Sequence, residues 1–207
     1  TANSNVYLED KKNNIVFRTK KITYFRNKEE IYTIGESSAN IHSKYEFVSE
    51  DLFFQKNKMK LSSNKKSVIT DDQFSLYKLG SFVYQINDKF LKGTDVTFTS
   101  NTNLPIGKSD QLFFKNGFFD LKNKNFDTAE IKIKLKKNSF DRSENDPRIY
   151  GASSSKNGGI TSIKKAVFTS CKQTDKCPPW QLEASEIKHD KNKKQLIYDN
   201  TILKIYD

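Results

Sequence analysis

Two cysteines and two histidines are the side chains of this 207-residue chain best suited to metal binding or nucleophilic catalysis. Cys171 and Cys177 lie close together in sequence, whereas His42 and His189 lie far apart. Two cysteines with only one histidine nearby are too few ligands for a structural metal site. The sequence has no HExxH helix, nucleophile elbow, glycine-rich phosphate loop or paired-carboxylate signature. It therefore predicts no enzyme, no cofactor and no metal site.

Charge and apolar content define the partners to expect. Lysine and arginine number 36 against 25 acidic residues, which gives a net charge of +11. This excess favours an anionic partner such as nucleic acid, a membrane surface or a phosphorylated glycolipid. Scattered lysines are equally typical of a solvated surface. Apolar residues make up only 35% of the chain, but they include 16 Phe and 9 Tyr, a composition that suits thin sheets with one buried face.

The elements that position these side chains are predicted from the segment 47–58. Phe47 and Ser49 are two residues apart and so would share one face of a strand, and the same holds for Leu52 and Phe54. The first pair has odd numbers and the second has even numbers, so the two pairs have opposite parity. Since strand side chains alternate faces, the change of parity predicts a corner between two half-strands, with the intervening acidic residues outside. Asn57-Lys58 then predicts a tight turn.

The strand, bend and strand unit recurs along the chain. Each copy has a small residue at its third position, and three starts are spaced 22 residues apart, which predicts a stacked β-repeat. The six copies begin at Phe17, Phe47, Ile69, Leu91, Phe126 and Leu182, with third residues Thr19, Ser49, Asp71, Gly93, Thr128 and Ala184. No stretch has a helical period, so almost no helix is expected. We expect one domain: repeat strands over 1–137, a loop-rich region over 138–159, and the last rungs over 160–207.

Three stretches near the end resemble a known family. Residues 166–171 read AVFTSC, residues 177–190 read CPPWQLEASEIKHD, and residues 148–152 read RIYGA. They resemble the LptD family of lipopolysaccharide-assembly proteins, in which A-x-aromatic-T-x-C is followed by Trp and then A-S-E-I-x-H-D. The resemblance is sharp over about residues 148–207. Before residue 148, only the pattern of the repeat units resembles OstA-like periplasmic domains.

The resemblance implies a fold, a function and partners. The fold would be all-β, a V-shaped antiparallel β-jellyroll or β-taco. The domain would lie in the periplasm as part of an outer-membrane protein, and would shield lipopolysaccharide acyl chains in an apolar groove. Its partners would be lipopolysaccharide, a neighbouring OstA-like bridge protein joined by edge-strand pairing, the C-terminal β-barrel of the same protein, and its plug lipoprotein. Nucleic acid would not be a partner.

The apolar positions of the repeat units are the groove candidates, because acyl chains need apolar area without directional bonds. The same side chains could instead only fill a core. The candidates are Phe17, Ile22, Tyr24, Phe47, Leu52, Phe54, Ile69, Phe74, Leu76, Leu91, Val96, Phe98, Phe126, Ile131, Ile133, Leu182 and Ile187.

Edge strands and cysteines complete the predicted sites. Val6-Tyr7-Leu8 and Ile15–Phe17 are the candidates for the partner edge, unless the nearby lysines blunt it. Cys171 matches the family cysteine, which in the family is commonly bonded to a cysteine of the barrel. A local bridge to Cys177 is the alternative that we favour for this domain alone.

Two other readings compete with this function. One is a free-standing OstA-like protein of the lipopolysaccharide bridge. The other is a basic β-sandwich that binds nucleic acid or carbohydrate, which predicts aromatic side chains on the solvent face beside lysine and arginine. A lipid conduit predicts them inside.

Overall fold

The fold is built almost entirely of antiparallel strands. The structure is a computed structural model, and it describes residues 1–100, 102–103, 109–135, 145–172, 179–190, 192–193 and 195–206. Within these ranges the helical elements are two single 3-10 turns, Arg26–Lys28 and Lys56–Lys58. The all-β prediction is therefore confirmed.

Seventeen strands lie within the described residues. They are β1 (Ala2–Asp10), β2 (Ile15–Phe25), β3 (Glu30–Ile41), β4 (Tyr45–Ser49), β5 (Phe53–Gln55), β6 (Lys60–Ser63), β7 (Ser67–Asp71), β8 (Leu76–Leu79), β9 (Ser81–Gln85), β10 (Phe90–Thr99), β11 (Gln111–Asp120), β12 (Asn125–Lys134), β13 (Arg148–Asn157), β14 (Ile160–Thr169), β15 (Trp180–Asp190), β16 (Gln195–Asp199) and β17 (Ile202–Ile205).

The strands pair antiparallel with their neighbours and divide into two layers. Layer A contains β4, β7 and β8, and layer B contains β5, β6 and β9. The long strands β2, β3 and β10 to β15 contribute one half to each layer. One half of β3 pairs with β4 and the other half with β5, and the two halves of β10 pair with β8 and β9 in the same way. Strands β3 to β10 therefore form a closed antiparallel barrel, which the remaining strands extend.

A break in pairing divides each strand between the layers, and we call this line of breaks the corner. The breaks contain residues 20, 35, 50, 65, 80 and 95, a spacing of 15 residues rather than 22. At Asp95, Glu130 and Lys165 the skipped residue has a positive φ of 47°, 52° and 49°. One residue in this conformation moves the side chains of the following half-strand to the opposite parity, as a β-bulge does.

Five of the six predicted corners lie where the sequence placed them. The exception is the copy that begins at Ile69. There Asp71 to Ser75 form a turn, in which Asp71 Oδ1 accepts backbone hydrogen bonds from Gln73 and Ser75. The parity change at Ile69 marks a hairpin, which produces the same apolar spacing as a corner. The loop-rich prediction was also wrong for residues 148–157, which form β13, while Asn101 and residues 136–144 lie outside the described ranges.

Small side chains line the inner surface of the corner, where the two layers meet. Hydroxyls there pair with one another: Thr19 with Ser37 at 2.8 Å, and Ser49 with Ser63 at 2.9 Å. A Cβ on Gly151 would collide with Cγ2 of Ile163. The small third residue of each sequence unit is thus explained, because larger side chains would hold the layers apart.

We expect Gly151→Ala to lower the free energy of unfolding by about 1–3 kcal/mol, the usual cost of overpacking a core. For a chain of this size, each kcal/mol lowers the thermal midpoint by roughly 2–4 °C. Gly159→Ala is the matched control, because its added Cβ meets only the end of the Asn192 side chain. Circular dichroism melts of both variants test this prediction, and equal midpoints would contradict it.

Candidate functional site

The space between the layers holds most of the predicted groove residues. Fourteen of them belong to one apolar cluster, eleven buried and three half-buried. The buried ones are Phe17, Ile22, Phe47, Leu52, Phe54, Ile69, Leu91, Val96, Ile131, Ile133 and Ile187, and the half-buried ones are Phe98, Phe126 and Leu182. The layers therefore enclose a continuous apolar interior from β2 to β15.

Three of the predicted groove residues lie elsewhere. Tyr24 is 44% exposed at the end of its strand, and Phe74 is 53% exposed in the turn before β8. Leu76 follows that turn on the outer side of β8, and Tyr77 takes the inner position and packs against the core. All three predictions were wrong because the sequence pattern does not show where a strand ends in a turn.

Aromatic rings from the two layers are in contact through the first half of the interior. The ring centroids of Phe17 and Phe54 are 5.4 Å apart, and Phe47 lies 5.3 Å from Phe82 and 5.0 Å from Tyr84. These distances are those of packed aromatic pairs. We call this part, from β2 to β10, the closed segment.

Sequence reasoning did not name Phe82 and Tyr84 as site residues, although their alternation with polar residues was visible. Tyr84 is fully buried in the closed segment, and its hydroxyl has no hydrogen-bond partner among the described residues. Burial, and then the neighbouring Tyr45, raise the pKa of Tyr84 far above its usual range. Its hydroxyl is thus a neutral group in an apolar setting.

The second half of the interior is more accessible. Seven inner apolar side chains between β11 and β16 are only partly buried: Leu112, Phe126, Leu135, Trp180, Leu182, Leu196 and Tyr198. Others on the same strands, such as Ile131, Ile163 and Ile187, are fully buried. On β17, Leu203 and Ile205 pair with Leu182 and Trp180 and are 56% and 74% exposed. We call this part, from β11 to β17, the accessible segment.

The two sides of the closed segment are also joined by polar contacts at the turn ends, opposite the corner. Lys56, in the turn after β5, lies 3.3 Å from Asp10 at the end of β1. Lys124, in the turn before β12, donates a 2.6 Å hydrogen bond to Gln73, in the turn before β8. Both lysines belong to layer B turns and both acceptors to layer A turns. We call these two contacts the clasp.

The first edge of the sheet is β1, which in the described part of the chain pairs with β2 and no other strand. Val6, Tyr7 and Leu8 lie on it, as predicted for the partner edge. Ile15 and Phe17 do not, because β2 pairs with β1 on one side and β3 on the other. A bulge with positive φ at Ser4 and Asn5 interrupts the edge.

Cys171 is a buried free thiol in the structure, and its Sγ lies 3.8 Å from the carbonyl oxygen of Trp180. Arg148, itself buried, donates a hydrogen bond to the carbonyl of Cys171. The RIYGA stretch and the cysteine therefore meet in space. Cys177 lies outside the described residues, and the bridge between the two cysteines stays a prediction.

The histidines and Asp190 lie in or beside turns. His42 has a positive φ of 54° after β3, and half-buried His189 pairs with Leu196. Asp190 accepts backbone hydrogen bonds from Asn192 and Lys193 at 3.0 Å each, and it therefore stabilises the turn after β15. Among the described residues no group of three metal-binding side chains comes together, and no helix there is long and apolar enough to cross a membrane.

The outer faces carry a different set of aromatic side chains. Phe118 is 57% exposed with the Lys92 Nζ 5.2 Å from its ring centroid. Lys132 lies equally close to Tyr150, and Lys134 lies 5.7 Å from Phe113. These cation–π pairs place lysines and aromatic rings together on the solvent side, as the nucleic-acid or carbohydrate reading predicts.

Comparisons with known proteins do not assign the chain to a family. Neither protein-family models nor curated proteins give a match to it. The candidate function therefore depends on the residues and geometry described above.

Asp10 gives the clasp a pH dependence. Burial opposes its ionisation, but hydrogen bonds from Asn13 and Lys56 outweigh burial and hold its pKa below 3.8. A carboxylate with a lowered folded pKa stabilises the fold at pH values above its unfolded pKa, and this contribution is lost as pH falls through the folded pKa. We expect wild type to exceed Asp10→Asn in stability by at most about 1 kcal/mol near neutral pH.

Thermal melts of both proteins between neutral pH and about pH 2 measure this stability difference. The difference should shrink as the pH falls below the pKa of Asp10 in the unfolded chain. Asp127→Asn removes an exposed carboxylate away from Lys56 and is the control. A stability difference that persists unchanged to the lowest pH would contradict the role of the Asp10 carboxylate.

Proposed function

We propose that this chain is an OstA-like periplasmic domain of the LptD type, a V-shaped β-jellyroll that carries lipopolysaccharide acyl chains in its interior. The observation that carries this proposal is the apolar interior, which is continuous through successive strands and accessible at its β11 to β17 end. Acyl chains are bound by apolar area alone, which such an interior offers along its whole length.

The corner supports the jellyroll form of the proposal. Each long strand crosses from layer A to layer B at the corner, and small residues allow the layers to converge there. On the opposite side, the described turns of the two layers are bridged by side-chain contacts. The two layers are joined by the backbone at the corner and by weak side-chain contacts at the turn ends. This arrangement suits a protein that admits long acyl chains from the side.

The charge distribution supports a phosphorylated glycolipid as the cargo. The chain carries a net charge of +11, while the buried interior is mainly apolar, with a row of small hydroxyl side chains at the corner. A glycolipid with an anionic head group would place its chains between the layers and its phosphates beside the lysines outside.

The two ends of the strand order support the proposed protein partners. Val6, Tyr7 and Leu8 lie on an edge strand to which a neighbouring bridge protein could add a strand. At the other end, the exposed Leu203 and Ile205 favour coverage by a further partner, which the resemblance assigns to the barrel of the same protein and its plug lipoprotein. The family cysteine bridge to the barrel would involve Cys171.

Photocrosslinking tests the conduit. A photoreactive residue at Phe126 or Leu182, both inner positions of the accessible segment, should crosslink to purified lipopolysaccharide. The outward neighbours Asp127 and Glu183 are the matched controls and should give little product. Equal yields at inner and outer positions would show surface attraction by charge, and no product at any position would overturn the conduit.

A second candidate function is supported by the outer cation–π pairs alone: binding of single-stranded nucleic acid on the outer faces. In that case, the logarithm of the affinity for an oligothymidylate should fall linearly with the logarithm of salt concentration. The triple variant Lys92→Gln, Lys132→Gln and Lys134→Gln should weaken binding by about tenfold or more. Fluorescence anisotropy measures both effects, and absence of binding at low salt would remove this candidate.

A further inference from the structure

The closed segment has the composition of a ligand site but is filled by its own side chains. Phe17, Phe47, Phe54, Phe82 and Tyr84 are all at most 2% exposed and meet across the two layers. In the accessible segment some apolar side chains are equally buried, and others remain partly exposed. The interior is thus filled at its β2 to β10 end and becomes partly exposed toward β17.

The contacts that hold the closed segment are of two kinds. Backbone hydrogen bonds run within each layer and across the corner strands, so separation of the layers at their turn ends would leave these ladders intact. What must separate is the apolar packing between the layers and, among the contacts of the described residues, the clasp. The two polar contacts lie at partly exposed turn ends and are weak individually, so the apolar packing sets the main cost of opening, and an apolar ligand that enters would replace that packing.

The Tyr84 hydroxyl is the feature that packing alone does not explain. Buried polar groups in folded proteins nearly always have a hydrogen-bond partner, and an unsatisfied one destabilises the state that contains it. This hydroxyl has none among the described residues and is surrounded by aromatic and aliphatic side chains. A ligand that supplied one oxygen atom beside an apolar chain would satisfy it.

We propose that the closed segment is a gated acyl-binding site, in which the Asp10–Lys56 and Gln73–Lys124 contacts hold the layers together and Tyr84 recognises an oxygen on the acyl chain. The inference rests on the proposed acyl-carrying function and adds to it a gate and a polar recognition residue. The ligand class is an acyl chain that bears a hydroxyl, ester or amide oxygen near one end.

The gate is tested with the double variant Lys56→Gln, Lys124→Gln. Its matched control is Lys58→Gln, Lys122→Gln, which removes two lysines from the same two turns and the same net charge. The neutral dye N-phenyl-1-naphthylamine reports accessible apolar surface. We expect its affinity to rise about threefold to tenfold in the clasp variant and to remain unchanged in the control, since each exposed polar pair is worth at most about a factor of five.

Unfolding must be distinguished from opening. Amide hydrogen exchange in β4, β7 and β9 should stay as slow in the clasp variant as in wild type, because the ladders within each layer persist. Equal dye affinity in clasp variant, control and wild type would overturn the gate. Higher dye affinity accompanied by fast exchange in these strands would also overturn it, since the variant would then be unfolded rather than open.

Recognition by Tyr84 is tested with two fatty acids of equal length, myristate and 3-hydroxymyristate. The clasp variant should prefer the hydroxylated acid by about fivefold to tenfold, the value of one added hydrogen bond in an apolar site. Adding Tyr84→Phe should abolish this preference without reducing the affinity for myristate. A preference that survives Tyr84→Phe would overturn the recognition role.

Failure of this inference and failure of the proposed function give different results. If inner positions of the accessible segment crosslink to lipopolysaccharide while the dye detects no gate, the conduit stands and the gate is overturned. If the dye and the fatty acids behave as expected but lipopolysaccharide crosslinks at no position, the segment is a gated acyl site that serves another lipid.

Discussion

The close approach of the two layers at the corner is the constraint on which the rest of the structure depends. Small side chains predominate on its inner surface, where a Cβ on Gly93 would lie 2.5 Å from Leu79. The hydroxyl pairs of the same row, such as Thr128 with Ser154 at 2.6 Å, satisfy the polar atoms that small side chains bring into a buried line. Because the layers converge there, large aromatic residues on either side can meet across the interior.

From that constraint follows the division of the interior. Near the corner the packing is fixed by backbone geometry, whereas at the turn ends it depends on side chains that can separate. In the closed segment those side chains are Phe17, Phe47, Phe54 and Tyr84, with the clasp outside them. In the accessible segment the corner persists while the inner apolar residues remain partly exposed. Stability is therefore concentrated at one side of the molecule and adaptability at the other, which is the distribution that an acyl carrier requires.

The outer surface is organised by lysines that lie beside exposed aromatic rings. Its lysines are dispersed along the strands, and several lie over exposed aromatic rings such as Phe118 and Tyr150. Each such pair covers apolar area that would otherwise face water, while the positive charge remains available to an anionic head group. Under either proposal the same lysines would attract an anionic ligand, and this is why the outer pairs support a second candidate function as well as the first.

The sequence by itself determined many of the strands, five of the six predicted corners and much of the inner face. Alternation fixes which side chains share a face, and the parity change at Ser49 to Leu52 marks a corner because a bulge shifts the alternation by one residue. The sequence could not distinguish a corner from a turn, since both produce the spacing seen at Ile69, Phe74 and Leu76, and only strand pairing separates them.

Tertiary structure alone decided what the inner face does. Partners distant in sequence, such as Phe17 with Phe54 and Gln73 with Lys124, are brought together by pairing of strands that no local pattern specifies. Three features depend on which residue lies opposite a given side chain across the interior. They are the filled state of the closed segment, the unsatisfied Tyr84 hydroxyl and the exposure of Leu203. Local pattern fixes the direction of a side chain, whereas its neighbours across the interior are fixed only when the layers close.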